Sequence, residues 1–349
     1  MSESGRITWR SPSNIALIKY WGKKGFQLPS NPSISMTLKN CYTETVVEYK
    51  KSNRKSGPML SFLFQNKKNS LFEKKIDHFI SIATKELPVL KSLNLEINAK
   101  NSFPHSSGIA SSASAFSSLA LCLCSIEKEI SNNEIDDKKF LRRASYIARL
   151  GSGSACRSVY GGWTLWGETE MISGSSDFYA IPVSDLLHEK FCNYHDAILI
   201  VNSEKKQVDS RRGHNLMETN PYKETKADMS RKNAIRLLTA LNNGNARSFM
   251  NIIESEATNL HAMFLTSNPG FILIKPETLQ IISKLKRFRE ESNLEFCFTL
   301  DAGPNIHLLY PENIRGRILP FIESEITLFC ENGKWIDDKT GNGPVIINN

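Results

Sequence analysis

A loop of small residues, set between a predicted strand and a predicted helix, is the feature that most constrains this chain. Residues 93–97 alternate apolar and polar side chains, which is typical of a half-buried strand. The sequence PHSSGIASSAS follows at 104–114 and leads into an apolar helical run. The backbone N–H groups of such a loop bind an anion when they are accessible. The dipole of the following helix adds positive charge at the same place. Tight packing of a helix start on a sheet explains the same small residues equally well.

Composition narrows the class of protein without identifying its partner. The chain has 349 residues, so we expect one or two domains. Its net charge of +8 suits an anionic partner, but the basic residues are dispersed along the sequence. Nucleic acid, a membrane surface and a phosphorylated small molecule therefore all remain open on charge alone. We expect no membrane association from hydropathy, because no apolar run is long enough to span a bilayer.

Cysteine usage and the first residues favour a cytoplasmic location. The seven cysteines are an odd number, and their spacing does not match a zinc site. We therefore expect reduced thiols, as in a cytosolic protein. The N-terminal sequence MSESGRITWR has no apolar core of the kind found in signal peptides.

The remaining pattern predicts a mixture of strands and helices. Strands are predicted at 7–10, 163–166, 196–203, 295–300 and 306–310, with a hairpin formed by 31–38 and 41–49. Helices are predicted at 70–87, 136–150, 222–241, 246–263, 276–291 and 311–329. A polar turn is expected at Pro12, a solvated loop or edge hairpin at 50–68, and a loosely ordered polar segment from 331 onward.

Two lysines and two aromatic residues surround a glycine in the segment 19–23. Lys19, Tyr20, Trp21 and Lys23 are side chains that can hold an anion or a substrate. Gly22 between them indicates a close approach of the backbone, which favours a functional role. The alternative is an amphipathic turn whose lysines extend along an apolar surface to reach water.

A glycine-broken turn, GSGSACRSVYGG at 151–162, is a second candidate anion site. Ser152, Ser154 and Arg157 direct hydroxyls and a guanidinium toward one place, and arginine binds a carboxylate or phosphate with two parallel hydrogen bonds. A surface ion pair is the alternative for Arg157. We interpret Cys156 as an ordinary thiol rather than a nucleophile, because no histidine lies near it in sequence.

An aspartate at a strand end and a basic loop complete the candidate residues. Asp301 follows a predicted strand and precedes Ala-Gly-Pro, a context that holds a carboxylate rigidly in a cleft, although an aspartate that begins a turn looks the same. The basic loop 205–213 contributes Ser210, Arg211 and Arg212. His261 is interpreted as a packed helix residue. Several anion sites with one specially placed carboxylate favour phosphoryl transfer between a nucleotide and a polyanionic small substrate. A nucleic-acid binder is the rival class.

Five segments in this order resemble the diphosphomevalonate decarboxylase family of the superfamily that contains galactokinase, homoserine kinase and mevalonate kinase. They are NIALIKYWGKK, NPSISMTL, PHSSGIASSAS, ARLGSGSACRSVYGG and FTLDAGPN. The resemblance spans about residues 7–310. It implies an α+β fold in two lobes, an ATP-binding lobe at 1–188 and a ferredoxin-like lobe at 189–349, with the active site between them.

The resemblance also implies a reaction. Members of this family use ATP to convert (R)-5-diphosphomevalonate to isopentenyl diphosphate, ADP, phosphate and CO2. The tertiary 3-hydroxyl is phosphorylated first, because phosphate is a far better leaving group than hydroxide. Mg2+ bridging the ATP phosphates and a homodimer are implied as well. No metal cage built from protein residues is expected.

Matching positions carry the implied roles of the family's site residues. The implied catalytic residues are Asp301, Lys19, Arg157 and Asn14. The implied substrate-binding residues are Tyr20, Trp21, Gly22, Lys23, Ser152, Gly153, Ser154, Ala155, Cys156, Arg157, Ser210 and Arg211. The implied ATP-binding residues are Pro104, Ser106, Ser107, Gly108, Ile109, Ala110, Ser111 and Ser112.

Departures from the family pattern leave related activities open. His105, Ser106 and Ser107 replace the usual Thr-Ala-Ala, which largely keeps the small side chains. A family arginine expected between the first hairpin and the phosphate loop has no clear counterpart, since the basic residues from Gln65 to Lys75 are lysines. A 5-phosphomevalonate decarboxylase and a mevalonate 3-kinase therefore remain alternatives. A non-catalytic anion or nucleic-acid binder is a more remote one.

Overall fold

The computed structural model describes residues 3–52, 58–104, 109–132, 134–204 and 210–347. Its strands are β1 (Ser4–Ala16), β2 (Lys23–Lys24), β3 (Leu28–Pro29), β4 (Ser33–Lys51), β5 (Met59–Phe64), β6 (Leu93–Asn101), β7 (Trp163–Trp166), β8 (Ala180–Pro182), β9 (Tyr194–Leu199), β10 (Cys297–Leu300), β11 (Ile306–Pro311), β12 (Trp335–Lys339) and β13 (Val345–Ile346). Its α-helices are α1 (Ser70–Glu86), α2 (Ser111–Ser131), α3 (Asp137–Gly151), α4 (Ser210–Glu218), α5 (Lys223–Asn243), α6 (Ala246–Leu265), α7 (Pro276–Ser292) and α8 (Arg315–Phe321).

Two large sheets and the two-stranded antiparallel sheet β2-β3 organise these elements, which confirms the predicted α+β class. The larger sheet has the strand order β13-β1-β4-β6-β5, and β7 joins it by pairing with β4 and β8. Its pairs are antiparallel except β5 with β6, so the predicted edge element at 50–68 contributes a parallel strand rather than a hairpin. The smaller sheet has the antiparallel order β10-β11-β9-β12. Within the described segments, no helix is both long and apolar enough to cross a membrane.

Small polar residues of α2 let this helix pack closely on the larger sheet. Ser117 Oγ lies 2.7 Å from Ser11 Oγ of β1. Ser114 and Ser118 make equivalent hydroxyl contacts of 2.6 Å with threonines of β4. These hydroxyls are buried, so pairing removes the cost of desolvating them. Ser114, Ser117 and Ser118 therefore serve the packing of α2 on the sheet. Tight packing was the alternative to anion binding for this part of the segment.

Two predictions about the first strands are wrong. The chain does not turn at Pro12, because β1 continues through it and absorbs an irregularity between Pro12 and Asn14 by a shift in register. The predicted hairpin at 31–49 is one long strand, β4. Its first half pairs with β7 and its second half with β6, and Asp338 accepts backbone N–H groups of residues 39–41 where the partner changes.

The last part of the chain is ordered, contrary to the expectation of a loose end. β12 pairs with β9 in the smaller sheet, and β13 pairs with β1 in the larger sheet. The segment before them is not the single helix predicted at 311–329. Turns of 3-10 and π type flank the short α8, which contains Pro320. Proline has no N–H to donate, so a regular α-helix is interrupted there.

Removing the Asp338 carboxylate tests how strongly the end of the chain stabilises the fold. Asp338 is buried, and its oxygens lie 2.9, 2.8 and 2.8 Å from the backbone nitrogens of Lys39, Asn40 and Cys41. Because Asp338→Ala leaves the buried Cys41 N–H and the partly buried N–H groups of Lys39 and Asn40 without their acceptor, we expect a loss of about 3 kcal/mol in the free energy of unfolding. Urea unfolding followed by tryptophan fluorescence measures this loss.

The neighbouring residue provides a control for this experiment. Asp337 is more than one-third exposed and forms an ion pair with Arg315. Asp337→Asn should cost less than about 1 kcal/mol, since exposed ion pairs contribute little. Equal unfolding midpoints for the two variants would contradict the role given to Asp338.

One apolar cluster joins the two sheets. Ile15, Ile18 and Ile34 of the first sheet region share it with Ile198 and Phe249 of the second. This shared core fixes the ends of β1 and β10 relative to each other, so the residues that follow these strands can face one another. The predicted division into 1–188 and 189–349 stays a prediction.

Candidate active site

A lysine–aspartate pair lies where the two sheets meet. Lys19 follows β1 by a short apolar link, and Asp301 directly follows β10. Lys19 Nζ lies 2.9 Å from Asp301 Oδ1, with the lysine side chain 1% exposed and the aspartate side chain 25% exposed. Burial lowers the pKa of Lys19, and the attraction of Asp301 opposes this effect. The arrangement presents a carboxylate to the solvent side with a buried cation behind it.

The backbone of Asp301 is held in place by neighbours. The Nε2 nitrogen of His261 donates to the Asp301 carbonyl at 3.1 Å. The Gly303 N–H donates to the same carbonyl at 2.8 Å. His261 is buried on α6, as expected of a packed helix histidine, and its contact is with the backbone of a candidate catalytic residue. The sequence contained no signal for this contact, because the two residues belong to different elements.

Arg157 is a buried residue of the 3-10 helix Gly153–Val159 rather than a surface ion pair. Its Nη1 donates to Ser33 Oγ, and its Nε finds no hydrogen-bond partner in the described part of the chain. Burial lowers the pKa of this guanidinium, while the negative field of Asp301 raises it. A buried arginine with an unused donor is suited to bind a carboxylate or phosphate.

Asn14 contacts the glycine-broken turn that contains Ser152, Ser154 and Arg157. Asn14 Nδ2 donates to Ser158 Oγ at 2.8 Å and lies 3.3 Å from the Ser154 carbonyl. Its Oδ1 is buried and has no partner among the described residues. Ser152 Oγ lies 3.3 Å from Ser154 Oγ and 3.4 Å from Ser112 Oγ. The start of α2 and the glycine-broken turn, which are far apart in sequence, therefore meet at one place.

The lysine-aromatic segment packs against this turn. Tyr20 is buried, and a Cβ atom at Gly153 would lie 2.7 Å from its hydroxyl, so the close approach requires glycine at 153. The Tyr20 hydroxyl itself is unpaired within the described ranges. Gly22 has φ +98°, a left-handed conformation that favours glycine. Lys23 begins the short strand β2.

His214 is a site residue that the sequence analysis missed. Its Nδ1 accepts the Gly22 N–H at 3.2 Å, and its ring stacks on Trp21 with centroids 4.7 Å apart. Burial lowers the pKa of His214 to about 3, so the ring is neutral and carries its proton on Nε2. His214 lies on α4, which begins at Ser210 and includes Arg211. The part of the predicted basic loop from 210 to 213 is therefore helical.

The predicted phosphate loop is described only in part. Ser106, Ser107 and Gly108, like residues 205–209 of the basic loop, lie outside the described residues. Pro104 follows β6, the Ile109 carbonyl accepts from Ser13 Oγ at 2.5 Å, and Ala110 has φ +43° directly before α2. In the described part of the loop no side chain caps the start of α2 at Ser111 and Ser112. Its first N–H groups are suited to bind an anion.

The two remaining residues of the turn are structural. Ala155 and Cys156 are fully buried. The Cys156 thiol donates to the Gly153 carbonyl at 3.0 Å, and burial raises the pKa of this thiol to about 12. A thiol with so high a pKa is a poor nucleophile, which supports the interpretation of Cys156 as an ordinary residue.

Comparisons with known proteins agree with this geometry. Residues 11–180 match the family model described as the diphosphomevalonate decarboxylase-like N-terminal domain, and residues 197–342 match the mevalonate 5-diphosphate decarboxylase C-terminal domain. The diphosphomevalonate decarboxylase of Eremothecium gossypii is 28% identical, over 93% of this chain and 82% of the relative.

Solved structures are similar over nearly the whole chain. Mevalonate diphosphate decarboxylase from Staphylococcus aureus has a TM-score of 0.83 and 29% identity, covering 99% of this chain and 98% of that one. MDDEF in complex with MVAPP, AMPPCP and magnesium has a TM-score of 0.80 and 26% identity, covering 99% and 100%. The two family models, the curated relative and the two structures indicate the same family. This chain belongs to the diphosphomevalonate decarboxylase family.

Proposed function

We propose that this chain catalyses the ATP-dependent decarboxylation of (R)-5-diphosphomevalonate to isopentenyl diphosphate, ADP, phosphate and CO2. The observation that carries this proposal is the contact between Lys19 Nζ and Asp301 Oδ1, near the buried Arg157, whose Nε has no partner in the described segments. The family membership and the complex of MDDEF with MVAPP, AMPPCP and magnesium support the choice of substrates.

Asp301 acts on the tertiary hydroxyl of the substrate. Its carboxylate accepts the hydroxyl proton as the oxygen forms a bond to the γ-phosphorus of ATP and ADP leaves. In the second step the carbon–oxygen bond breaks and phosphate departs. The bond to the substrate carboxylate then breaks, its electron pair forms the double bond, and CO2 leaves.

Lys19 supplies a fixed positive charge next to the reacting atoms. Its ammonium stabilises the ionised form of Asp301 and the negative charge of the phosphoryl group during transfer. Because the lysine side chain is 1% exposed, little water screens this charge. The lysine is therefore more effective there than on a solvated surface.

The acidic parts of the substrate meet the remaining polar groups. Arg157 binds the carboxylate through its unused donor, and Asn14, Ser152, Gly153 and Ser154 surround it. Tyr20 and Lys23 hold the 5-diphosphate, and Arg211 matches a diphosphate-contacting position of the family. Trp21, Gly22 and Ser210 belong to the same substrate-binding site. Buried atoms of Asn14, Tyr20 and Arg157 that have no partner among the described residues fit a polar ligand, since buried polar groups are ordinarily paired.

The start of α2 fits the phosphates of ATP. Ser111 and Ser112 are its first residues, and Ala110 brings the backbone into a left-handed turn before them. Mg2+ bound to the phosphates supplies charge neutralisation and is held mainly by phosphate oxygens. We include Ser106, Ser107 and Gly108 in the proposed ATP-binding site, as the sequence analysis predicted.

The proposed location rests on cysteine usage, and the proposed assembly rests on the family resemblance. We propose a cytoplasmic homodimer. All seven cysteines are free thiols, which is compatible with a reducing compartment.

A product assay tests the function and separates its alternatives. The pure protein is incubated with Mg-ATP and with mevalonate, 5-phosphomevalonate or 5-diphosphomevalonate, while ADP, phosphate and CO2 are followed. We expect equal ADP and CO2 with the diphosphate alone. The same result with the monophosphate would change the substrate, and ADP without CO2 would indicate a 3-kinase. No ADP with any of them would contradict the proposal and leave a non-catalytic binder.

A further inference from the structure

A buried polar cluster joins α5 and α6 behind the lysine–aspartate pair. Glu256 of α6 is fully buried. Its Oε2 lies 2.9 Å from Lys226 Nζ, and its Oε1 lies 2.9 Å from Asn233 Nδ2. Ser230 Oγ lies 3.2 Å from both carboxylate oxygens. Lys226, Ser230 and Asn233 share one face of α5, so the cluster depends on one alignment of the two helices.

The Glu256 carboxylate also reaches the candidate active site. Its Oε2 accepts the backbone N–H of Lys19 at 3.2 Å. On the other side of this residue, Asn31 Nδ2 donates to the Lys19 carbonyl at 3.2 Å. Lys19 is therefore fixed at both backbone polar groups by side chains from other elements. None of these contacts uses the lysine ammonium, which remains directed at Asp301.

Helix α6 also holds Asp301, the ion-pair partner of Lys19. His261 lies one to two turns after Glu256 on α6, and it donates to the Asp301 carbonyl at 3.1 Å. α6 thus contacts the backbones of both residues of the pair, at Lys19 through Glu256 and at Asp301 through His261. Any shift of this helix changes the position of the ammonium relative to the carboxylate.

We propose that Glu256 is a positioning residue, which together with His261 makes α6 the element that aligns Lys19 with Asp301. This inference rests on the proposed function. A buried ion pair such as Glu256 with Lys226 is weak support for stability, because burying both charges costs about as much as their attraction returns. The contact of Glu256 with the Lys19 N–H, in contrast, is one that an apolar residue at this position could not make.

The charges around Lys19 make the effect of Glu256 on this lysine measurable. Asp301 and Glu256 face it with negative charge, Arg157 faces it with positive charge, and Asp196 of β9 also lies within its field. Lys226 accompanies Glu256 from α5. Burial lowers the pKa of Lys19, whereas Asp301 and Glu256 both raise it. Loss of the Glu256 charge therefore makes Lys19 lose its proton at lower pH.

The test is Glu256→Gln, examined in the full-length protein. We expect kcat to fall about tenfold while KM changes less than about twofold, since the amide loses the ion pair with Lys226 that holds the acceptor of the Lys19 N–H in place, and positioning affects the transition state more than binding. In protein without substrate, we expect the titration of Lys19 to move to lower pH. NMR of ε-13C-labelled lysine follows this titration, and the Lys19→Arg variant assigns the signal.

Glu254→Gln is the matched control on the same helix. Glu254 forms an ion pair with Arg289 of α7, with Oε2 3.1 Å from Nη2, and it has no contact with Lys19 in the structure described. We expect this control to change neither the Lys19 signal nor kcat, whatever its effect on stability. Equal losses of kcat in both variants, with an unchanged Lys19 titration in both, would show that Glu256 is only structural and overturn the proposal.

A second variant covers the case in which Glu256→Gln does not fold. Glu256→Leu combined with Lys226→Met removes both charges and the acceptor for the Lys19 N–H, and it avoids the cost of leaving one buried charge without its partner. We expect a folded protein whose kcat is still at least about tenfold lower. A wild-type kcat would overturn the inference. If wild-type protein shows no turnover, the proposed function fails, whereas the NMR titration still tests the effect of Glu256 on Lys19.

Discussion

Replacing Asp301 with Asn is expected to lower kcat by about a thousandfold, within the range that a positioned general base contributes. The amide cannot accept the hydroxyl proton of the substrate, and the attraction that holds Lys19 Nζ at 2.9 Å becomes weaker. Release of ADP and CO2 measures the loss. ATP binding, followed by calorimetry, should remain near normal because the start of α2 is a separate element.

A control for this substitution exists at the start of α3. Asp136 caps that helix by accepting the Lys139 N–H at 2.9 Å, and Asn is an equally good cap. Asp136→Asn changes a carboxylate to an amide outside the site and should keep wild-type turnover. Near-normal turnover in the Asp301→Asn variant would contradict the role of Asp301 in the proposed mechanism.

Replacing Arg157 with Leu is expected to slow CO2 release about a hundredfold and to raise KM for the substrate. The Nε of the buried guanidinium has no partner among the described residues, and its loss would remove the charge-assisted contact that we propose with the substrate carboxylate. If phosphoryl transfer at the hydroxyl is less affected, ADP appears in excess over CO2. The ratio of CO2 to ADP is therefore the informative measurement.

Arg149 offers a second buried arginine for comparison. Its Nε donates to the Phe178 carbonyl and its Nη1 donates to the Phe26 carbonyl, each at 2.9 Å. Because its donors serve the backbone, Arg149→Leu should lower stability while the ratio of CO2 to ADP stays at one. A ratio of one in the Arg157→Leu variant, with unchanged KM, would place the carboxylate contact at another residue.

Local patterns predicted those parts of the site that are continuous in sequence. Lys19 to Lys23, the turn that contains Arg157, and Asp301 after its strand were all found, because glycine and strand-end signals act over a few residues. Most helices were placed within a few residues for the same reason. The roles assigned to these residues and the loop at 105–108 stay predictions.

Contacts between elements that are far apart in sequence could not be predicted from local patterns. Glu256 lies 237 positions from Lys19, and a glutamate on an amphipathic helix looks like a surface residue until the helix is packed. His214 is similar, since only the folded chain brings it to Gly22. The segment around Asp338 was predicted to be loose because its polar residues give no strand pattern, whereas they pair with other parts of the sheet.

The pairing of β13 with β1 has a consequence for biosynthesis. β1 is the first described strand and β13 is the last, so one edge of the larger sheet stays open until nearly the whole described chain has left the ribosome. An open strand edge can pair with another nascent chain. Protection by chaperones during translation would therefore matter most for this edge, and a release of the final strand after synthesis would expose it again.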